Sequence, residues 1–173
     1  MRPFLTLLLT GSIFLYSSGR TQIIKTKLDI VGGISAPEFV HGGLRYQYAD
    51  IAQIGAYYGG DVGLDKSIIT TYSVDNMLHF GNENYHSGRP VWYTRQGLTL
   101  TKTITADQTI HTSKINLSLG REFPVNDWLG FNADLGATWQ VREKYRLKSG
   151  GDTFYDSSWI WLALFRAQIF ISL

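Results

Sequence analysis

Residues 159–173 read WIWLALFRAQIFISL, and the way this stretch is read decides the fold. It is too short for a membrane-spanning helix, which needs roughly 20 apolar residues, and Arg166 would lie inside the span. Taken by twos it sorts cleanly. Ala163, Phe165, Ala167, Ile169, Ile171 and Leu173 share one face, while Arg166, Gln168 and Ser172 share the other. That is the pattern of a strand between two unlike environments.

The same alternation recurs along the chain. In VHGGLRYQY (40–48), Val40, Leu44, Tyr46 and Tyr48 oppose His41, Arg45 and Gln47; in WLGFNADLGATWQ (128–140), Leu129, Phe131, Ala133, Leu135, Ala137 and Trp139 oppose Asn132, Asp134, Thr138 and Gln140. SKINLSLG (113–120) sets Ile115, Leu117 and Leu119 against Lys114, Asn116 and Ser118, and KLDIVGGI (27–34) sets Leu28, Ile30 and Ile34 against Lys27 and Asp29. Turn-forming clusters separate these runs: SAPE, YAD, GGDVGLDK, GNENYHSGRP, TADQT, FPVND and RLKSGGDTFYDSS. The spacing predicts eight strands near 25–35, 38–48, 51–59, 68–80, 90–102, 112–122, 128–142 and 158–173. Asn76 and Gln96 fall on outward faces in the fourth and fifth, which predicts a bulge or a slipped register there. An even count lets a meander close with both ends on one side, and eight is the smallest common membrane barrel.

Composition agrees with an all-β chain. Of 173 residues only 17% are charged, aromatics reach 14%, Tyr (10) and Gly (18) are plentiful and Pro (4) is scarce. With no cysteine there can be no disulfide framework, thiolate nucleophile, Cys-based zinc site or lipoprotein anchor. A formal charge of +2 gives no reason to expect nucleic acid as a partner. Residues 1–19 read as a secretory signal: Arg2, the apolar FLTLLLTGSIFLY, then the small residues Ser17, Ser18 and Gly19. Cleavage within several residues of Gly19 would leave a near-neutral barrel domain, 20–173.

The aromatics decide between a soluble and a membrane barrel. If the chain starts in the periplasm, one rim collects Tyr48, Phe80, Trp92, Trp128 and Phe170, and the other Tyr58, Tyr72, Trp139, Trp159 and Trp161. Two girdles around an apolar band suit the two interfaces of a bilayer, whereas a soluble barrel of the lipocalin kind needs a polar outside and an apolar lumen. The inward faces then hold Lys27, Arg45, Arg95, Lys114 and Arg166 with Asp29, Asp75, Asp134, His41 and His79, a mixed-sign set expected to pair and fill a lumen that is only side-chain wide.

At this point the chain resembles the small eight-stranded outer-membrane β-barrel proteins of the OmpA/OmpX type. The likeness covers residues 25–173 and rests on the eight alternating segments, on GLRYQY and SLGREFPVNDWLGFNADLGATW, and on the FRAQIFISL ending. That ending looks like the C-terminal strand read by the barrel insertion machinery, although this chain finishes on Leu173 where Phe is usual. The resemblance implies a monomer in the outer membrane of a Gram-negative bacterium. It leaves the activity open, since such barrels include passive anchors, adhesins, lipid enzymes and narrow channels.

The sequence supports these roles unequally. A structural, anchoring or surface-contact role without catalysis, cofactor or metal is the leading expectation. A lipid A deacylase-like hydrolase would need His111 and Ser113, two apart on one strand face, with an orienting acid at Glu122 or Asp127; Lys114 stands where that family has Asn, and the Asn-Pro-Gly segment is absent. A channel for ions or apolar molecules would use exchange of lumen pairs, or inward Ile160, Leu162 and Leu164. GGDVGLDKS lacks the glycine of a phosphate-binding loop before Lys66, NLS at Asn116 lies inside a strand, and His41, His79, His86 and His111 lack ligand spacing. In the last loop, Arg142, Lys144, Arg146 and Lys148 form a basic run that would face lipopolysaccharide phosphates.

Overall fold

The computed structural model describes residues 28–36, 39–61, 67–147, 152–155 and 160–173. The signal segment, Lys27, Lys148 and Trp159 lie outside that set. The strands are β1 (Leu28–Ala36), β2 (Phe39–Ala49), β3 (Ala52–Gly60), β4 (Ile68–Glu83), β5 (Pro90–Ile104), β6 (Gln108–Pro124), β7 (Leu129–Leu147), β8 (Asp152–Tyr155) and β9 (Ile160–Ser172). Each of β1 to β7 pairs antiparallel with the next, β7 pairs with β9, and β9 returns to β1, so eight strands close a ring. Closure satisfies the backbone groups that an open edge would leave without partners.

The short β8 is the addition. It was expected to be loop, but it pairs with Glu143–Arg146 at the top of β7, and β9 continues down the same edge of β7 from Gln140. The β7–β8 hairpin therefore raises one side of the wall, and Arg142, Lys144 and Arg146 stand in a strand, not in a loop.

Following partners round the ring from Asp29 through Arg45, Gly55, Asp75, Gly97, Asn116, Thr138 and Leu162 climbs about ten residues along β1, a stagger that tilts the strands by roughly 40°. Call the end that holds the start of β1 and the end of β9 the terminal rim, and the other the distal rim. Near the terminal rim Phe80 sits opposite Trp92; near the distal rim Tyr58 sits opposite Tyr72 and Trp139 opposite Trp161, with ring centroids 5.2 and 3.9 Å apart. At about 3.3 Å per residue along tilted strands the two belts are roughly 20–28 Å apart, bracketing the ~25 Å apolar band of a membrane barrel. Between them the outer surface is Ile30, Ile34, Leu44, Ile54, Val74, Leu98, Leu117, Leu135, Phe165 and Ile169, all exposed.

Two expectations are corrected. Phe170 is no part of a girdle: it follows Arg166 and Gln168 on the inward face and is buried. It fills the lumen because Gly130 opposite leaves room, and a Cβ there would overlap the ring. Asn76 and Gln96 mark no bulge. The β4–β5 register runs unbroken from Ile68 to Phe80 and pairs Asn76 with Gln96, while the irregularities fall between Gln47 and Ala49, Phe80 and Glu83, and Ser113 and Lys114. Asn76 accepts a hydrogen bond from the Tyr48 hydroxyl at 2.9 Å.

Gln96 thus places a half-exposed amide on the outer wall midway between the belts. Replacing it with Leu removes a polar group from an apolar surround and is expected to stabilise the bilayer-embedded barrel by about 1–2 kcal/mol. The midpoint of heat-induced unfolding, followed by gel migration after reconstitution, measures this. A lower midpoint would mean that the amide rests against a polar partner.

Candidate functional site

The inward positions are where charge collects, and the register sorts them into layers. The layer nearest the terminal rim is a closed four-membered ring. Arg45 Nη2 donates to Asp29 Oδ2 at 3.1 Å and Arg45 Nη1 to Glu122 Oε1 at 3.1 Å; Arg89 Nη2 donates to Asp29 Oδ2 at 3.1 Å and Arg89 Nε to Glu122 Oε2 at 2.8 Å. Each guanidinium spans both carboxylates, which its planar fork of donors allows. Ser172 Oγ and Gln53 Nε2 also donate to Asp29, at 2.6 and 3.3 Å, and Gln53 Oε1 lies 3.0 Å from His79 Nε2. The Phe170 ring floors the layer, with Arg45 Cζ 4.7 Å and Arg89 Cζ 5.5 Å from its centroid.

About four residues higher along the strands comes a second quartet. Arg95 donates to Asp134 Oδ1 at 2.6 Å and to Asp75 Oδ2 at 3.1 Å, and Arg166 Nη1 donates to the same Asp75 oxygen at 2.6 Å. The Tyr93 hydroxyl donates to Asp134 at 3.1 Å, and Arg166 Cζ sits 4.9 Å from the Tyr57 ring centroid. Tyr93 reaches this position because Gly120 has no Cβ to overlap its ring. Toward the distal rim the charges give way to an amide and two hydroxyls: Asn116 donates to Thr99 at 2.7 Å and accepts from Thr138 at 2.5 Å.

Both quartets carry two cations and two anions. Arg45, Arg89, Asp29 and Glu122, like Arg95, Arg166, Asp75 and Asp134, are at most 2% exposed. Charges taken from water at this density are tolerated only when each is paired and hydrogen-bonded, which these are.

The sequence-derived residues fall as follows. Asp29, Arg45, Asp75, Arg95, Asp134 and Arg166 build the two quartets. His79 sits beside the first, its Nδ1 2.9 Å from the Pro90 carbonyl oxygen. His41, on β2, lies 2.7 Å from Gln168 Nε2 and 3.3 Å from Ser35 Oγ, with its ring edge-on to that of Tyr57 at 6.0 Å. Lys114 is buried nearer the distal rim. Of the apolar trio, Leu164 is buried whereas Ile160 and Leu162 are exposed.

Sequence reasoning missed Arg89, Glu122, Tyr57 and Tyr93 as lumen residues. Arg89 was hidden in a turn signal. Gly88, at φ 64°, and backbone bonds between Asn84 and Arg89 curl the β4–β5 turn so that Arg89 enters the lumen. Extending the parity of Tyr93 and Arg95 back past Pro90 finds it. Glu122 needed only one further step along the even positions of β6, after Asn116, Ser118 and Gly120.

The residues of the hydrolase expectation are not brought together. His111 and Ser113 share the outer face, whereas Glu122 is inside, about 30 Å down β6 at ~3.3 Å per residue. Asp127 lies in the terminal-rim turn after β6, its carboxylate 3.0 Å from His86 Nδ1.

No family model matches the chain, and no curated protein matches it in sequence. Solved structures do. The N-terminal β-barrel domain of Pseudomonas aeruginosa OprF is 13% identical with a TM-score of 0.50, the alignment covering 86% of this chain and 96% of that one. Acinetobacter baumannii CarO is 12% identical with a TM-score of 0.48, covering 89% and 100%. With its ring of eight antiparallel strands, twin aromatic belts and charge-filled interior, the chain has the fold of the small eight-stranded β-barrels of bacterial outer membranes.

Proposed function

We propose that this protein is a monomeric integral barrel of the outer membrane, exported through residues 1–19 and inserted through its C-terminal strand. Its lumen is static filling rather than a conduit, and its role is anchoring or surface contact without catalytic turnover. The observation that carries this reading is the pair of neutral quartets, which lie in the lumen at two depths and are almost wholly buried. An ion entering would have to break pairs held at 2.6–3.1 Å. The terminal rim faces the periplasm in this reading. β4 to β7 overshoot the distal belt and the longest connection, between β7 and β9, lies at that end, as the outward ends of such barrels do. The outward placement of His111 and Ser113, apart from any inward acid, speaks against the hydrolase alternative.

Expression in a Gram-negative host should place the protein in the outer-membrane fraction with heat-modifiable migration in detergent gels. In planar bilayers the intact barrel should give no unitary conductance steps. Recovery as a soluble periplasmic protein would end the membrane reading, and reproducible steps from the unaltered chain would end the sealed-lumen reading.

The quartets can be tested for their part in folding. Arg166→Leu leaves Asp75 and Asp134 facing Arg95 alone and should cost about 3–5 kcal/mol, seen as a reduced refolded fraction. Adding Asp75→Asn restores one cation to one anion and should recover most of the yield. Unchanged yield in the single variant would mean that the layer contributes nothing to folding.

A further inference from the structure

Of the eight charged residues in the two quartets, seven stand in strands and one does not. Arg89 precedes Pro90, the first residue of β5, and enters the lumen from the β4–β5 turn at the terminal rim. Its contacts are those of a bound ligand. Arg89 Nε and Nη2 donate to the two oxygens of Glu122 at 2.8 and 3.2 Å, Nη2 also donates to Asp29 Oδ2 at 3.1 Å, and Nη1 donates to Gln47 Oε1 at 3.3 Å. The Phe170 ring lies alongside, its centroid 5.5 Å from Cζ. A bidentate carboxylate, a second carboxylate, an amide oxygen and an aromatic face together recognise a planar guanidinium; a compact ammonium does not match the fork.

The turn that delivers Arg89 is a body of its own. Asn84 N–H donates to the Arg89 carbonyl at 3.0 Å, Gly88 N–H to the Asn84 carbonyl at 2.8 Å, and Ser87 Oγ to the Arg89 carbonyl at 3.2 Å, so residues 84–89 hold together by internal bonds. Its joins to the wall are weaker. On the β4 side the ladder lapses between Phe80 and Glu83, where Gly81 sits at φ 91°. On the β5 side Pro90 has no N–H to give to a ladder. Side chains fasten the turn on both sides: Arg89 within, and His86 without, its Nδ1 3.0 Å from Asp127 Oδ1 in the β6–β7 turn. Both members of that outer pair are exposed, and an exposed pair holds weakly. Arg45, by contrast, lies mid-strand and is paired on both edges.

We propose that the terminal layer is a guanidinium-binding site for an arginine side chain of a second polypeptide, filled in the resting barrel by Arg89 on a hinged turn that the His86–Asp127 pair holds shut. Asp29, Glu122, Gln47 and Phe170 form the site. A free amino acid would carry its own ammonium and carboxylate into a layer already balanced in charge, which an arginine within a polypeptide does not. Tyr85, at the tip of the turn and 95% exposed, offers such a polypeptide an aromatic contact of the kind enriched at interfaces. One guanidinium replaces another, so the layer stays filled and neutral and the strand-borne second quartet is untouched. The compartment that the site meets rests on the orientation proposed above; the site itself does not.

The chain has no cysteine, so one introduced thiol reports alone. In the full chain refolded in detergent, Ser87→Cys puts a buried thiol in the turn, and Thr99→Cys puts one beyond the second quartet as a control for unfolding. A short tether gives Arg89 an effective concentration on the order of millimolar, so probes are used at roughly ten times that. Maleimide labelling of Ser87→Cys should quicken several-fold with Asp127→Asn and with N-acetylargininamide, but not with N-acetyllysinamide, and Thr99→Cys should stay slow throughout. Arg89→Ala gives a second reading, which decides where Ser87→Cys does not refold: its heat-unfolding midpoint should fall by several degrees and be partly restored by the arginine probe alone. Labelling that neither Asp127→Asn nor the arginine probe moves, labelling that rises equally at Thr99→Cys, or an Arg89→Ala midpoint that the probe leaves unchanged overturns the proposal. An equal response to the lysine probe overturns the guanidinium assignment, and an equal response to free L-arginine overturns the polypeptide in favour of the amino acid. Labelling in detergent depends on neither orientation nor conductance, so a failure here is distinct from a failure of the membrane or sealed-lumen reading.

Discussion

The pairing of β9 with β1 is the constraint from which the other features follow. A sheet whose outer face is apolar cannot leave an edge open to hydrocarbon, because nothing there satisfies its N–H and C=O groups. Closing eight strands with a stagger of about ten residues fixes a lumen only as wide as the side chains that fill it. Inward positions in the middle of the barrel then have almost no access to bulk water. Polar residues on that face must find each other, and the chain meets the requirement by pairing charges in groups that sum to zero.

That requirement also selects residue types. The four cations of the quartets are all arginine, and three of them, Arg45, Arg89 and Arg95, bridge two carboxylates each. A lysine ammonium is a compact point charge whose donors do not match two carboxylates in a plane. Among the described residues the inward lysine is Lys114, which stands higher, nearer the distal rim. Bulk is balanced in the same way. Gly130 and Gly120 are not turn residues here; they are the positions at which the rings of Phe170 and Tyr93 cross the lumen.

Much of this was legible in the sequence, because period-two alternation reports which face touches what and needs no knowledge of partners. GLRYQY and FRAQIFISL assigned Arg45 and Arg166 to the interior by parity alone. Three things escaped, for separate reasons. Phe170 was read by its chemistry as a belt aromatic although its parity with Arg166 and Gln168 placed it inside; the cation–π stacking of two arginines makes an aromatic ring suitable there. Arg89 was lost because Gly and Pro punctuate a turn without saying where its side chains go. β8 was lost because SGGDTFY carries loop composition, and its strand depends on pairing with β7, a non-local partner that composition does not report.

At the Ser113/Lys114 irregularity Lys114 pairs with Gln140 and Ser113 with Arg142, so Val141 is one extra residue on β7, and this bulge shows how far the alternation rule reaches and where it stops. Within the apolar band a one-residue slip would bury the greasy row and expose the charged one, so the register there is held strictly. β6 and β7 keep it unbroken from Lys114–Gln140 down to Pro124–Gly130. Past Trp139 the outer wall meets polar headgroups, both faces tolerate polar side chains, and an extra residue no longer costs burial. The irregularity lies at that boundary and puts it to use. It keeps Glu143 on the lumen side, where Gln140 bonds it, and moves Arg142, Lys144 and Arg146 to the outer wall. Interior neutrality and exterior charge are thus set by one inserted residue, since three more cations inside would leave the lumen with positive charges in excess of its acids.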